Sequence, residues 1–214
     1  MNWKTLCCTL ALSTASIFAQ APAPPDLKLR GDRFVPLSYD QLTTEQKAFV
    51  DQVLSEKVAL AGPYNALLRN PALGKTVHDF SVQVRFHSSL PTKLNELAIM
   101  MAARFWNSQF VWMAHQRAGV NAGLSQAISD AIAEGAHPAV MAPDEEIVYN
   151  FANELLTNKQ VSDVTYKAAV GRFGEKGIVD LISQMGYFQY VSMILNVDRY
   201  PLPAGVQPPL KTRP

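Results

Sequence analysis

Between Leu94 and Trp106 the chain reads LNELAIMMAARFW, a stretch that is apolar on nearly every side when wound as a helix. Such a helix cannot lie on a surface with one face in water. It has to stand in the middle of a bundle, so the other segments must wrap around it. Those segments carry helix start and stop signals, and no convincing alternating strand pattern occurs. The expected class is therefore all-α. With 214 residues, 48% of them hydrophobic, the chain can bury the core of one compact domain.

The surrounding helices are marked by caps and spacing. Thr43 and Gln46 suggest a capping box ahead of Phe49, Val50, Val53 and Leu54. Asn70 and Pro71 open the next helix, whose inward face is expected at Leu73, Val77, Phe80 and Val84. Asn107 and Ser108 interrupt the chain after Trp106, and a helix from Phe110 to Ala118 follows, with Gly119 as its stop. Ser125 can cap a short helix ending near Gly135, Asp144 one running through Phe151 and Leu155, and Ser162 one stopping before Gly174. A last helix is expected from about Ile178 to Val197. Tyr187, Tyr190, Met185 and Met193 in it read as core or subunit-interface residues. The proline-rich remainder cannot continue a helix and reads as an extended tail over 201–214.

At the other end, Lys4, the apolar run Leu6–Leu12 and the small residues leading to Ala19 form a secretory signal pattern over 1–19. The competing reading, a membrane anchor, fits less well because the run is shorter than the ~20 residues a span needs. A proline-rich segment over 20–36 then leads into one helical domain over 37–200. Export implies a periplasmic or secreted protein. Both cysteines, Cys7 and Cys8, lie inside the removable segment. The mature chain then has no disulfide, no thiolate nucleophile and no cysteine metal site. With 19 basic against 18 acidic residues, the chain lacks the charge footprint of nucleic-acid or anionic-membrane binding.

Glu96 is the only acidic residue between Asp79 and Asp130, and it falls near the start of the apolar helix. If the chain reverses near Trp106 and Asn107, Glu96 and His115 both stand roughly 14 Å from the turn, at one level of an antiparallel hairpin. A carboxylate beside an imidazole in a partly apolar pocket is an acid/base pair, since burial and mutual charge move both pKa values toward neutrality. The plainer alternatives are a carboxylate placed for the positive end of its helix and a structural histidine. Ser108, Val111 and His115 share one face of the second helix, with Trp112 adjacent. Ser108 could orient His115 or a ligand, or simply cap the helix. His78 and His87 fall on opposed helix faces and His137 precedes Pro138 in a loop, so none shows metal-ligand spacing. Neither a metal nor a cofactor is expected.

Residues 90–124, LPTKLNELAIMMAARFWNSQFVWMAHQRAGVNAGL, resemble the signature segment of the carboxymuconolactone decarboxylase and alkylhydroperoxidase D superfamily. Residues 62–74 and 161–197 support the match. The resemblance implies a compact bundle of about seven or eight helices that assembles as a trimer or hexamer. In the peroxidase branch a glutamate is followed by a Cys-x-x-Cys pair and then a histidine four residues on. Glu96 and His115 occupy the glutamate and histidine positions, while Ser108 and Val111 stand where the cysteines would be. The thiol peroxidase cycle therefore cannot run. Val111 also departs from the acidic residue that precedes the tryptophan in many cysteine-free relatives. What remains is proton-transfer hardware closer to the decarboxylase branch. The implied activity is that of a lyase or isomerase acting on a small lactone or unsaturated carboxylic acid. His115 would be the general acid/base and Glu96 its partner, with Ser108, Trp112, Phe110 and Met100 at the substrate. A non-catalytic oligomer that binds a small molecule is the competing function.

Overall fold

The computed structural model describes residues 24–211, so the expected signal segment with Cys7 and Cys8 lies outside the described residues. Helices make up the regular structure of the described residues. A short 3-10 turn at Tyr39–Gln41 precedes α1 (Thr44–Ser55), α2 (Tyr64–Leu67), α3 (Pro71–Phe86) and α4 (Thr92–Phe105). Then follow α5 (Gln109–Asn121), α6 (Gln126–Glu134), α7 (Pro143–Asn158) and α8 (Asp163–Asp198). No strand occurs among the described residues, and none of their helices is long and apolar enough to cross a membrane.

The apolar helix takes the position its composition requires. α4 packs on α5, α6, α7 and α8, and Leu94, Leu97, Ala98, Ile99, Met100, Ala102 and Ala103 are all essentially without solvent exposure. A second core lies under α1 and α2, around Val50, Val53 and Leu68. Each cap has a physical cause. The hydroxyl of Thr43 accepts from the Gln46 amide, and the Gln46 side chain returns the bond to the Thr43 amide at 2.9 Å. Asn70 accepts from the Leu73 amide, and Pro71 fills the first turn.

Three sequence expectations are corrected. The inward face of α3 is Gly74, His78, Ser81 and Val84, while Leu73 and Phe80 are 46% and 43% exposed. The reason is close packing: a β-carbon at 74 would meet the Phe49 ring at 2.8 Å. The polar residues of that stripe are buried because they find hydrogen-bond partners. Gly119 does not end α5, which runs to Asn121 and turns at Gly123, where φ is 96°. Asp144 does not cap α7. Ala142 precedes the helix, and Glu145 accepts the Ala142 amide at 2.8 Å. The helix expected to stop before Gly174 does so: Gly174 adopts φ 68° and ψ 171°, a kink between two helical stretches of the α8 span. The tail has no regular structure over 201–211, yet it is pinned, because Gln109 both donates to and accepts from the Leu210 backbone at 2.9 Å.

Candidate active site

The reversal between α4 and α5 takes three residues, Trp106 to Ser108. Asn107 makes it possible by adopting φ 49°, the left-handed region that asparagine tolerates better than most residues. Its side-chain oxygen accepts from the Arg104 guanidinium at 2.7 Å, which fixes the turn. The two helices then run back antiparallel, and Glu96 and His115 meet. Nδ1 of His115 lies 2.7 Å from Oε2 of Glu96, with each side chain 14% exposed.

One further contact holds the imidazole. Phe188 of α8 presents its ring edge to it at 4.5 Å between centroids and 73°. Below it, Gly119 sits one turn along the same face, where a β-carbon would stand 3.3 Å from Cβ of Glu96. The missing side chain lets the α4 backbone approach closely enough for the pair to form.

His115 opens onto a cleft of about 390 Å³ walled by the α1–α2 loop, α2, α3, α5 and α8. The walls are mostly apolar, including Phe110, Val111 and Val191. Lys57 and Arg85 are the cations of the lining, and no carboxylate belongs to it. Two phenols also face it. Tyr187 is hydrogen-bonded to Ser81 and Tyr64 stands near it. Burial raises the pKa of both, so both stay protonated at neutral pH.

The sequence-derived site residues separate accordingly. Glu96, His115 and Phe110 gather at the cleft, with Glu96 behind His115. Trp112 and Met100 do not line it, being 1% and 0% exposed in the core around α4. Trp112 faces away because one residue along the helix from Val111 turns the side chain by about 100°, and Met100 belongs to α4, no residue of which lines the cleft. Ser108 is 1% exposed, makes no capping hydrogen bond, and lines a separate depression between α5 and the end of α8. It therefore cannot orient His115. Lys57, Arg85, Tyr64 and Glu56 went unmarked in the sequence and His78 was considered only as a metal ligand, because the α1 end, α2 and α3 that carry them are brought together only by the fold. Among the described residues no three histidine or acidic side chains converge as metal ligands.

No protein-family model matches the chain, and no curated protein matches it. Solved structures do. A protein of unknown function from Agrobacterium tumefaciens, linked by name to the antioxidant defence protein AhpD, superposes with a TM-score of 0.58 at 16% identity, covering 67% of this chain and 99% of that one. The alkylhydroperoxidase AhpD core of an uncharacterized peroxidase-related protein from Ralstonia eutropha JMP134 gives a TM-score of 0.60 at 11% identity, covering 80% of this chain and 92% of that one. At these identities the likeness establishes an alkylhydroperoxidase D-like helical fold and nothing finer.

Proposed function

We propose that this chain is an acid/base enzyme resembling the carboxymuconolactone decarboxylases, acting on a small lactone or unsaturated carboxylic acid by decarboxylation or isomerisation. The observation that carries the reading is the 2.7 Å contact between His115 and Glu96 at the wall of a mostly apolar cleft. With Glu96 ionised, Nδ1 of His115 must donate to it, so Nε2 is the basic nitrogen of the neutral ring. Glu96 then also stabilises the imidazolium that forms when Nε2 takes a proton. In an isomerisation the proton leaves one carbon and returns to another. In a decarboxylation the C–CO2 bond breaks, its electron pair enters the conjugated carbonyl, and the imidazolium protonates the resulting enolate at carbon.

Lys57 and Arg85 supply the charge that a carboxylate or lactone carbonyl needs, and no lining carboxylate competes for them. A thiol cycle has no place here, since no cysteine follows Cys8 in the sequence. The same reading has residues 1–19 removed on export to the periplasm or medium, and the mature chain working as a homo-oligomer, trimer or hexamer. Exposed apolar residues on α3 and α8, such as Phe86 and Val179, are suited to such an assembly.

A thermal-shift screen of lactones and unsaturated acids, followed by turnover assays of the hits, tests the proposal. His115→Gln is expected to keep binding and to lose about a hundredfold or more in kcat, the size of a general acid/base contribution. Glu96→Gln should lose less, because the ring stays in place but its cation is no longer stabilised. Undiminished turnover by His115→Gln sinks the assignment. Hits that bind the wild type without turnover indicate a non-catalytic binding protein instead.

A further inference from the structure

The cleft has a second hydrogen-bonded histidine behind its wall. Tyr64 of α2 lines the same cleft as His115. Its hydroxyl lies 2.7 Å from Nδ1 of His78 on α3, and Nε2 of His78 lies 2.9 Å from Oε2 of Glu56 at the end of α1. The His78 side chain is fully buried, whereas that of Glu56 is 39% exposed. A line of hydrogen bonds thus runs from the cleft, through a dry imidazole, to a carboxylate in contact with solvent.

The chemistry fixes the direction of that line. The bond from His78 and another from Gln52 hold the Glu56 carboxyl below the ordinary carboxylate range, so it is ionised and accepts. Nε2 of His78 therefore carries hydrogen, Nδ1 accepts, and the Tyr64 hydroxyl donates to it. The remaining lone pair of the phenol oxygen is left to accept a proton.

We propose that Tyr64 is a second proton-transferring residue of the cleft, relayed through His78 to Glu56, and that it works with His115 as a two-base pair on a β,γ-unsaturated lactone or acid. The inference rests on the acid/base reading above and selects isomerisation within it. As the substrate C–H bond at the α-carbon breaks, its proton passes to the Tyr64 oxygen while the phenol proton passes to Nδ1 of His78. The electron pair moves into the carbonyl, and the enolate so formed is conjugated with the β,γ double bond as a dienolate. The protonated form of His115 then delivers its Nε2 proton to the γ-carbon. The positive charge that leaves the His115–Glu96 pair reappears on the His78–Glu56 pair, and exchange with solvent at Glu56 and His115 resets both. Because the two protons move together, no free phenolate forms, which matters at a phenol whose ionisation burial opposes.

The test uses the full chain and α-angelica lactone, a β,γ-unsaturated lactone, followed by proton NMR in deuterated water. Wild type is expected to produce the α,β-isomer with deuterium at the ring carbon that bears the methyl group. Tyr64→Phe should lower kcat about a hundredfold with KM within about twofold. Glu56→Gln, whose amide oxygen can still accept from Nε2 of His78, should lower kcat about tenfold and raise the solvent isotope effect. If Tyr64→Phe keeps wild-type kcat while His115→Gln is inactive, this inference fails and the acid/base reading stands. A loss in Tyr64→Phe that Glu56→Gln does not share overturns the relay. A wild type that neither isomerises nor deuterates the lactone overturns this inference, while the acid/base reading is judged by the ligand screen and His115→Gln.

Discussion

Gly119 shows how one missing side chain bears on the site. It stands one turn beyond His115 on α5, and a β-carbon there would meet Cβ of Glu96 at 3.3 Å, the Leu124 side chain at 3.4 Å and Met100 sulfur at 3.5 Å. Gly119→Ala gains about 1 kcal/mol of helix propensity and loses a similar amount to crowding. The expected stability change is therefore within about 1 kcal/mol, read from a urea melt. Turnover is expected to fall about tenfold or more, because the crowded atom belongs to Glu96 and pushes the carboxylate off His115. A drop in stability with full activity would show that the close approach serves packing alone. At this scale much of the site was legible: counting residues from the reversal at Trp106 and Asn107 sets Glu96 level with His115. The rest of the lining was not. A helix that is apolar on every side does not say which side faces a cleft, so Met100 and Trp112 read the same way as Phe110.

At the scale of elements, α8 carries opposite expectations three residues apart. Gly174 holds φ 68° and ψ 171°, a conformation only glycine adopts without strain, and nothing stands within 4 Å of where its β-carbon would be. Gly174→Ala is expected to destabilise by about 1–3 kcal/mol through backbone strain alone. Gly171 has ordinary helical geometry and equally open surroundings, so Gly171→Ala should stabilise by about 0.5–1 kcal/mol. Chemical denaturation of the two variants side by side checks both signs, and a neutral Gly174→Ala would mean that the break is not needed. Helix boundaries set by side-chain caps, at Thr43, Asn70, Ser125 and Ser162, were readable because the capping chemistry is local. The packed face of α3 was not, because it rests on partners elsewhere in the chain. His78 and Ser81 look solvent-facing until Tyr64 and Tyr187 are placed beside them.

Across the whole molecule, the all-α class followed from two signals together: α4, a helix without a polar side, needs neighbours all round, and the segments around it carry helix caps and no strand pattern. What joins those neighbours at their edges is a set of carboxylates. Asp144 takes two bonds from Arg172, at 2.6 and 2.7 Å, and ties α7 to α8. Glu154 accepts from Thr165 and from the Ser162 amide at the start of α8. Both carboxyls are held below their ordinary range, Asp144 chiefly by the bond from Arg172 and Glu154 chiefly by that from Thr165. A carboxyl whose folded pKa is depressed adds stability that is fully present above its unfolded pKa, about 3.9 for aspartate and 4.3 for glutamate. That stability is lost as the pH falls through the folded value. Thermal melts taken stepwise from neutral pH into the acid range should therefore show Tm dropping from just above those unfolded values downward. The double variant Asp144→Asn, Glu154→Gln is expected to start from a lower Tm at neutral pH and to descend less steeply in acid. Parallel acid limbs for the two proteins would show that other carboxylates govern the acid response and that the α7–α8 seam does not set it.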